Sequence, residues 1–260
     1  MKLLVALAVM DGVDRRGWRL DGEVLVRQQD LSLFVQPLAA LVPEQGYKTT
    51  LGDLVRRAIV DSDSAAADIL IARLGGPPQV QAFLESSGIS GVRLDRDERH
   101  LQTEILGLTW RPEYVDAAAL DRAIAAVPTE DRAAAYRRYQ ADPRDTATPR
   151  GMAGLLQRLA TGGLLSPAST RYVLHVMEQT VTFPDRLKAG VPRAWTLGHK
   201  TGTSSSWQGV TAATNDVGVL KAPDGGSVSV VVFIRDSSAP SASRAALIAS
   251  IAAATTARYR

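Results

Sequence analysis

The sequence predicts an α/β (α+β) fold in which an all-α domain precedes a C-terminal antiparallel sheet covered by a helix. Three observations carry that prediction. Apolar residues recur at helical spacing from Met1 to about Pro192, broken by proline, glycine and small polar residues. The period then changes to two over Trp195 to Lys200, Thr211 to Lys221 and Ser227 to Arg235. Finally, Ser241 to Tyr259 is an Ala-rich amphipathic stretch able to cover one sheet face. The expected division is a mostly helical domain over 1–192 and a three-strand sheet with its helix over 193–260. So small a sheet leaves two edges to account for.

The first helix is Met1 to Arg16. Leu3, Leu4, Leu7, Ala8, Met10 and Val13 are apolar, and Ala6 and Val9 close most of the remaining circumference, a pattern suited to a domain interior. Lys2 stands at its start. Burying that ammonium without partners is costly, so it belongs either in water at a frayed end or in a polar site. The stretch also imitates a short secretory signal with an Ala-x-Ala site. Its apolar run, Leu3 to Met10, is short for that, the basic region is one residue, and Asp11, Asp14, Arg15 and Arg16 continue the helical period.

Gly17 to Gln45 reads as connecting structure with an extended piece at Glu23 to Val26. Thr49 to Val60 is a helix with a Thr cap and an early Asp53 facing the positive end of the dipole. It breaks at Asp61-Ser62-Asp63-Ser64. A second helix, Ala65 to Leu74, meets the glycine-then-proline stop Gly75-Gly76-Pro77-Pro78, and Gln79 to Ser86 adds a turn or two. Arg93 to Gln102, RLDRDERHLQ, is dense in charge and lacks either period, so it reads as a loop. Two helical pieces between Pro112 and Tyr139 are split at Val127-Pro128-Thr129, with Pro112 in a first turn and Thr129 as an N-cap. Pro149 to Thr161 and Pro167 to Gln179 follow, the latter behind Ser166, and Pro223-Asp224-Gly225-Gly226 is a hairpin turn between strands.

Composition narrows the function classes. With 260 residues, 45% hydrophobic and 22% charged, the chain reads as soluble and globular. No apolar run reaches the roughly 18 residues of a membrane span, so no membrane partner is expected. Cysteine is absent, which excludes disulfides and thiolate metal sites. His100, His175 and His199 are scattered without ligand spacing, so no metal and no cofactor is assigned. The net charge of +3 comes from 30 basic and 27 acidic residues that are interspersed, with Arg15-Arg16, Arg56-Arg57 and Arg137-Arg138 on helices between acidic neighbours. That pattern is a solvated face, so no nucleic-acid partner is expected, and the chain is read as a monomer. Trp110, Trp195 and Trp207 are read as packing residues.

Three separated pieces carry the chemistry. His199-Lys200-Thr201-Gly202-Thr203 ends a strand with Lys-Thr-Gly, Ser62-Asp63-Ser64 fills an interhelical turn, and Lys2 opens a buried helix. Taken singly, Lys-Thr-Gly is a strand end with a turn glycine, Ser62 and Asp63 cap the next helix, and Glu98 is one more carboxylate in a charged loop. In this order and on these elements, the set resembles the Ser-x-x-Lys, Ser-Asp-Asn and Lys-Thr-Gly motifs of class A β-lactamases and penicillin-binding proteins. Val60 to Val80 resembles the class A segment around Ser-Asp-Asn. Arg93 to Gln102 resembles the start of that family's omega loop, whose pattern is Glu-x-x-Leu-Asn, and Arg144 to Pro149 resembles its end. Only about Thr103 to Ala141 lies outside the resemblance.

The resemblance implies a role for each matched residue. Lys2 would accept or relay the nucleophile's proton, Glu98 would hold the water that hydrolyses the acyl-enzyme, and Ser62 would protonate the departing ring nitrogen. Lys200 and Thr201 would bind the substrate carboxylate. Gly202 would let substrate lie against the strand, and the Thr203 N–H would be an oxyanion donor. Asp63 would be structural, and Arg96 and Asp145 would pair across the base of an expanded omega loop over about 95–145. Ser64 and Gln102 stand where the patterns have Asn. The first change removes an amide that could reach substrate; the second lengthens a water-orienting side chain by one methylene.

One departure bears on activity. A Ser-x-x-Lys ending at Lys2 places its serine two residues before Met1, outside the sequence, and the family's first strands would also lie upstream. The expectation is therefore an N-terminally truncated class A β-lactamase, inactive as it stands, because loss of a nucleophile costs a factor of about a million in a serine protease. The small-molecule substrate would be a β-lactam, and the resemblance implies a periplasmic or secreted location. Alternatives from other classes are a protein that holds β-lactams or peptidoglycan-like peptides without turnover, and a related serine peptidase or esterase. Glu98 favours the first reading over the last, since penicillin-binding proteins lack an efficient deacylating carboxylate.

Overall fold

The computed structural model describes residues 1–259. Its backbone divides into two compact units, one comprising Met1–Ser86 and Arg93–Thr146, the other Ser87–Val92 and Ala147 onward. The units do not follow the change of period at 192/193, because the helices from Pro149 onward pack with the sheet.

The first unit is built on α1 (Lys2–Arg16), whose Leu3 to Met10 are all buried. Gly17, at φ 68° in the left-handed region, ends it. Gly12 is required at its place, since a Cβ there would stand 2.6 Å from the Trp18 ring. A two-strand ribbon follows, β1 (Glu23–Val26) antiparallel to β2 (Tyr47–Thr50), with short 3-10 turns at Gln28–Asp30 and Pro37–Leu41 between them. Thr50 caps α2 (Leu51–Val60) by accepting from the Asp53 N–H, as expected. Asp63 caps α3 (Ser64–Leu74), accepting from Ala66 at 2.9 Å, and Gly75 at φ 103° stops it before α4 (Pro77–Ser86).

Three expectations over the next segment need correction. The charged stretch 93–102 is not all loop, since Glu98 begins α5 (Glu98–Ile105) behind the cap Asp97. Its buried positions are Glu98, Thr103 and Ile105, so there was no apolar period to read. Pro112 starts a separate 3-10 turn, Pro112–Val115, rather than the following helix α6 (Ala117–Ala126), which Asp116 caps. Thr129 is already helical in α7 (Thr129–Ala141); Pro128 occupies the cap position and offers no side-chain bond.

The second unit carries α8 (Pro149–Ala160), α9 (Pro167–Glu178), the one-turn α10 (Leu187–Gly190) and an antiparallel sheet. The sheet pairs β3 (Thr196–Thr203) with β5 (Val210–Lys221), and β5 with β6 (Ser227–Ser237); a short β4 (Ser206–Trp207) also pairs with β5. The expected turn closes β5 onto β6 through Ala222 N–H to Gly226 O at 2.8 Å. α11 (Ser241–Arg258) supplies Ile248 and Ala252 to a cluster with Leu187, Leu220, Val230 and Val232. Gly198 turns to α9 instead: a Cβ there would stand 3.1 Å from Met177 Cβ. Helices thus flank both sheet faces, while β3 and β6 each keep one edge without a strand among the described residues.

Candidate active site

Three helix beginnings converge in the first unit. Lys2, Ser64 and Glu98 are the first residues of α1, α3 and α5. Lys2 Nζ lies 3.0 Å from Glu98 Oε1 and donates to Ser64 Oγ at 3.3 Å. Gln102, one turn along α5, donates from Nε2 to Glu98 Oε2 at 3.2 Å. Each carboxylate oxygen therefore has one partner. Lys2 is in a polar site, and the glutamine that replaces the pattern's asparagine still reaches the carboxylate.

Burial pushes the Glu98 carboxyl up, but the Lys2 ammonium and the bonds from Lys2 and Gln102 outweigh it and hold the carboxyl below its ordinary value. Glu98 is thus an anion in a nearly closed site, the state in which it can accept a proton from water. Beneath it lies Asp68 of α3, which is 4% exposed. Its Oδ1 accepts the Glu98 N–H at 2.7 Å, and its Oδ2 accepts the Ser32 hydroxyl at 2.7 Å and the Arg99 N–H at 3.2 Å. Burial, with the Glu98 and Asp97 carboxylates nearby, pushes Asp68 up to about 7.

Asp63 caps α3 and also accepts the Leu38 N–H at 2.7 Å; burial raises its carboxyl. Ser62, in the turn before it, is half-buried at φ 58°, a left-handed conformation that costs a non-glycine residue about 1–3 kcal/mol. Arg96 and Asp145 do meet across the ends of the 95–145 segment. Asp145 Oδ1 accepts the N–H groups of Asp95 and Arg96 at 2.7 and 3.0 Å, while Arg96 Nε donates to Oδ2 at 2.6 Å. Arg96 also binds Glu104 and Asp142.

The second unit carries the Lys-Thr-Gly residues on β3. Lys200 and Thr201 are both buried, and Lys200 Nζ donates to Thr201 O at 2.9 Å. Thr201 Oγ1 lies 2.6 Å from Thr182 Oγ1. Arg186, fully buried, donates to the Gly202 and Asn215 carbonyls at 3.3 and 3.0 Å and to Thr203 Oγ1 at 2.7 Å, clamping the end of the strand. His199 Nδ1 pairs with Asp216 Oδ1 at 2.9 Å in the interior.

The first unit therefore gathers Lys2, Ser64, Glu98 and Gln102, and the second orders Lys200, Thr201, Gly202 and Thr203 along one strand. Asp68, Arg99, Thr182 and Arg186 escaped the sequence reading. Asp68 had left a signal, an isolated acid among the apolar residues of Ser64–Leu74.

A sequence model of the β-lactamase enzyme family matches residues 1–259. Relatives include β-lactamase VEB-1 of Pseudomonas aeruginosa, 27% identical over 97% of this chain and 74% of that protein, and β-lactamase L2 of Stenotrophomonas maltophilia, 31% identical over 87% and 61%. Among solved structures, an ancestral class A β-lactamase is 31% identical with a TM-score of 0.77, covering 99% of this chain and 83% of that one. A β-lactamase from Chitinophaga pinensis is 28% identical with a TM-score of 0.76, covering 96% and 80%.

Proposed function

The chain belongs to the β-lactamase enzyme family, and from that premise we propose that its site residues serve β-lactam hydrolysis through a serine acyl-enzyme. The observation that carries this reading is the Lys2–Glu98 pair with Ser64 and Gln102 around it, a buried amine and an ionised carboxylate held in contact. The serine of a Ser-x-x-Lys pattern stands three positions before Lys2. Its hydroxyl proton would pass through water to the Glu98 carboxylate, or to Lys2 once that ammonium has handed a proton to Glu98, as the oxygen attacks the lactam carbonyl. Ser62 delivers a proton to the ring nitrogen as the amide bond breaks, and the proton taken from the nucleophile is relayed through Lys2 to Ser62, which leaves Glu98 ionised again. Glu98, oriented by Gln102, then takes a proton from water as that water attacks the ester, and the serine leaves with a proton returned. Lys200 and Thr201 bind the substrate carboxylate, and the Thr203 N–H stabilises the oxyanion. Such an enzyme acts where β-lactams arrive, in the periplasm or outside the cell.

The test joins the 260 residues behind an upstream segment that places serine three positions before Lys2. Nitrocefin turnover and the mass of the protein after drug exposure are compared with those of Glu98→Ala. Turnover by the parent, with covalent drug accumulating only in the variant, supports hydrolysis. Equal trapping in both assigns a non-hydrolysing binder instead, and no adduct in either defeats the acyl-enzyme reading.

A further inference from the structure

We propose that Arg99 and Asp68 are positioning residues for Glu98, and that Trp110, from the 103–144 segment, braces them. This rests on the reading of Glu98 as the group that activates water. The first helical turn of α5 presents N–H groups without intrahelical partners. Asp97 takes the third of them, from His100, at 2.9 Å. The first two, from Glu98 and Arg99, both go to the Asp68 carboxylate. Thus the backbone that aims Glu98 at Lys2 is anchored to a buried acid on a different helix.

Arg99 sets its guanidinium beside that acid. Its Nε stands 3.2 Å from Asp68 Oδ2, and one terminal nitrogen donates to Asp30 O at 2.5 Å. The guanidinium carbon lies 5.5 Å from the centre of the Trp110 ring, within reach of a cation–π attraction. Trp110 is itself held edge-on by Tyr114, at 6.2 Å, and packs with a cluster of Leu33, Tyr114 and Leu120. Leu33 adjoins Ser32, whose hydroxyl completes the Asp68 site. The 103–144 segment is therefore packed onto both Arg99 and the connection between β1 and β2 that carries Ser32. Through those contacts it fixes the first turn of α5.

The experiment uses the 260-residue chain with Arg99→Gln, Arg99→Lys and Trp110→Leu, and reads amide hydrogen exchange residue by residue. Arg99→Gln and Trp110→Leu are expected to speed exchange at Glu98 and Arg99 at least tenfold while Leu7 and Val9 of α1 stay within twofold; Arg99→Lys recovers part of the protection. Unchanged exchange at Glu98, or a uniform rise that includes α1, overturns the proposal. In the serine-bearing protein, Arg99→Gln is expected to slow deacylation at least tenfold and acylation by less. Normal deacylation there, alongside a defective Glu98→Ala, overturns the positioning role alone. Normal deacylation by Glu98→Ala overturns the reading of Glu98 as the base, and the positioning proposal with it.

Discussion

The Lys2 ammonium and the Glu98 carboxylate meet at 3.0 Å with side-chain exposures of only 11% and 7%. Neither end of such a pair can be removed alone without leaving a charge in a closed site. Lys2→Met should cost about 3–5 kcal/mol at neutral pH, while Lys2→Met with Glu98→Gln should cost less than the sum of the two changes by about 1–3 kcal/mol. The sign with pH follows from the depressed Glu98 carboxyl. Its stabilising contribution is present above the ordinary glutamate value and is lost as pH falls through the lowered folded value. The penalty of Lys2→Met should therefore shrink as pH falls: first above the ordinary glutamate value, where a buried Glu98 without its ammonium takes up a proton, and then further below that value, where the paired carboxylate of the parent is protonated. Urea midpoints of the parent and both variants across that range check it.

Asp68 is shifted in the opposite sense, from 3.8 up to about 7. Between those values the folded chain holds a proton that the unfolded chain has released, so folded stability falls as pH rises through the window. The slope from this group approaches about 1.4 kcal/mol per pH unit at its steepest. Asp68→Asn should flatten the fall in urea midpoint across that window, even though it lowers the midpoint overall by losing acceptors for Ser32 and Arg99. An identical slope in the variant would show that another group carries it.

What was legible in the sequence was whatever local rules decide. The caps at Thr50 and Ser166, the stop at Gly75 and the turn at Gly225 depend on neighbours a few residues away. So does the change of period that announces β3, β5 and β6. Lys2 could be narrowed to two environments by the cost of burying charge, but its true partner, Glu98, is far along the chain and beyond any local rule. The α5 helix was hidden because its buried face carries Glu98 and Thr103. The first turn of α7 was misread because Pro128 had taken the cap position from Thr129. Asp68 stood out as an acid among apolar residues, but its role could not be read for a third reason: its partners are Ser32, Glu98 and Arg99, none of them near it in sequence.

Gly202 offers a clean separation of folding from function. A Cβ there would meet nothing nearer than Asn215 Cβ at 3.9 Å, an ordinary van der Waals contact, and no positive φ demands glycine. Gly202→Ala should therefore leave the stability within about 0.5 kcal/mol of the parent's. If substrate lies against β3, the same methyl should slow acylation of the serine-bearing protein by at least tenfold. An unaffected acylation rate would show that substrate keeps its distance from this strand.

Two further glycines in the second unit should respond in opposite ways to the same added methyl. At Gly190, the last residue of α10, a Cβ would sit 1.9 Å from the Ala249 carbonyl oxygen and 3.1 Å from Ala252 Cβ, both on α11. Neither a backbone oxygen nor a helix end can yield by rotating a side chain. The methyl must push α10 from α11, opening the cluster that Leu187 shares with Ile248 and Ala252. Gly190→Ala should cost at least about 3 kcal/mol. Gly154 lies exposed within α8, where an added methyl would have no neighbour inside 4 Å and the φ is ordinary for a helix. There the methyl restricts only the unfolded chain, and Gly154→Ala should stabilise by about 0.4–1 kcal/mol. Thermal unfolding of both variants beside the parent checks the pair, and a loss of stability at Gly154 would mean that α8 does not hold the helical backbone described for it.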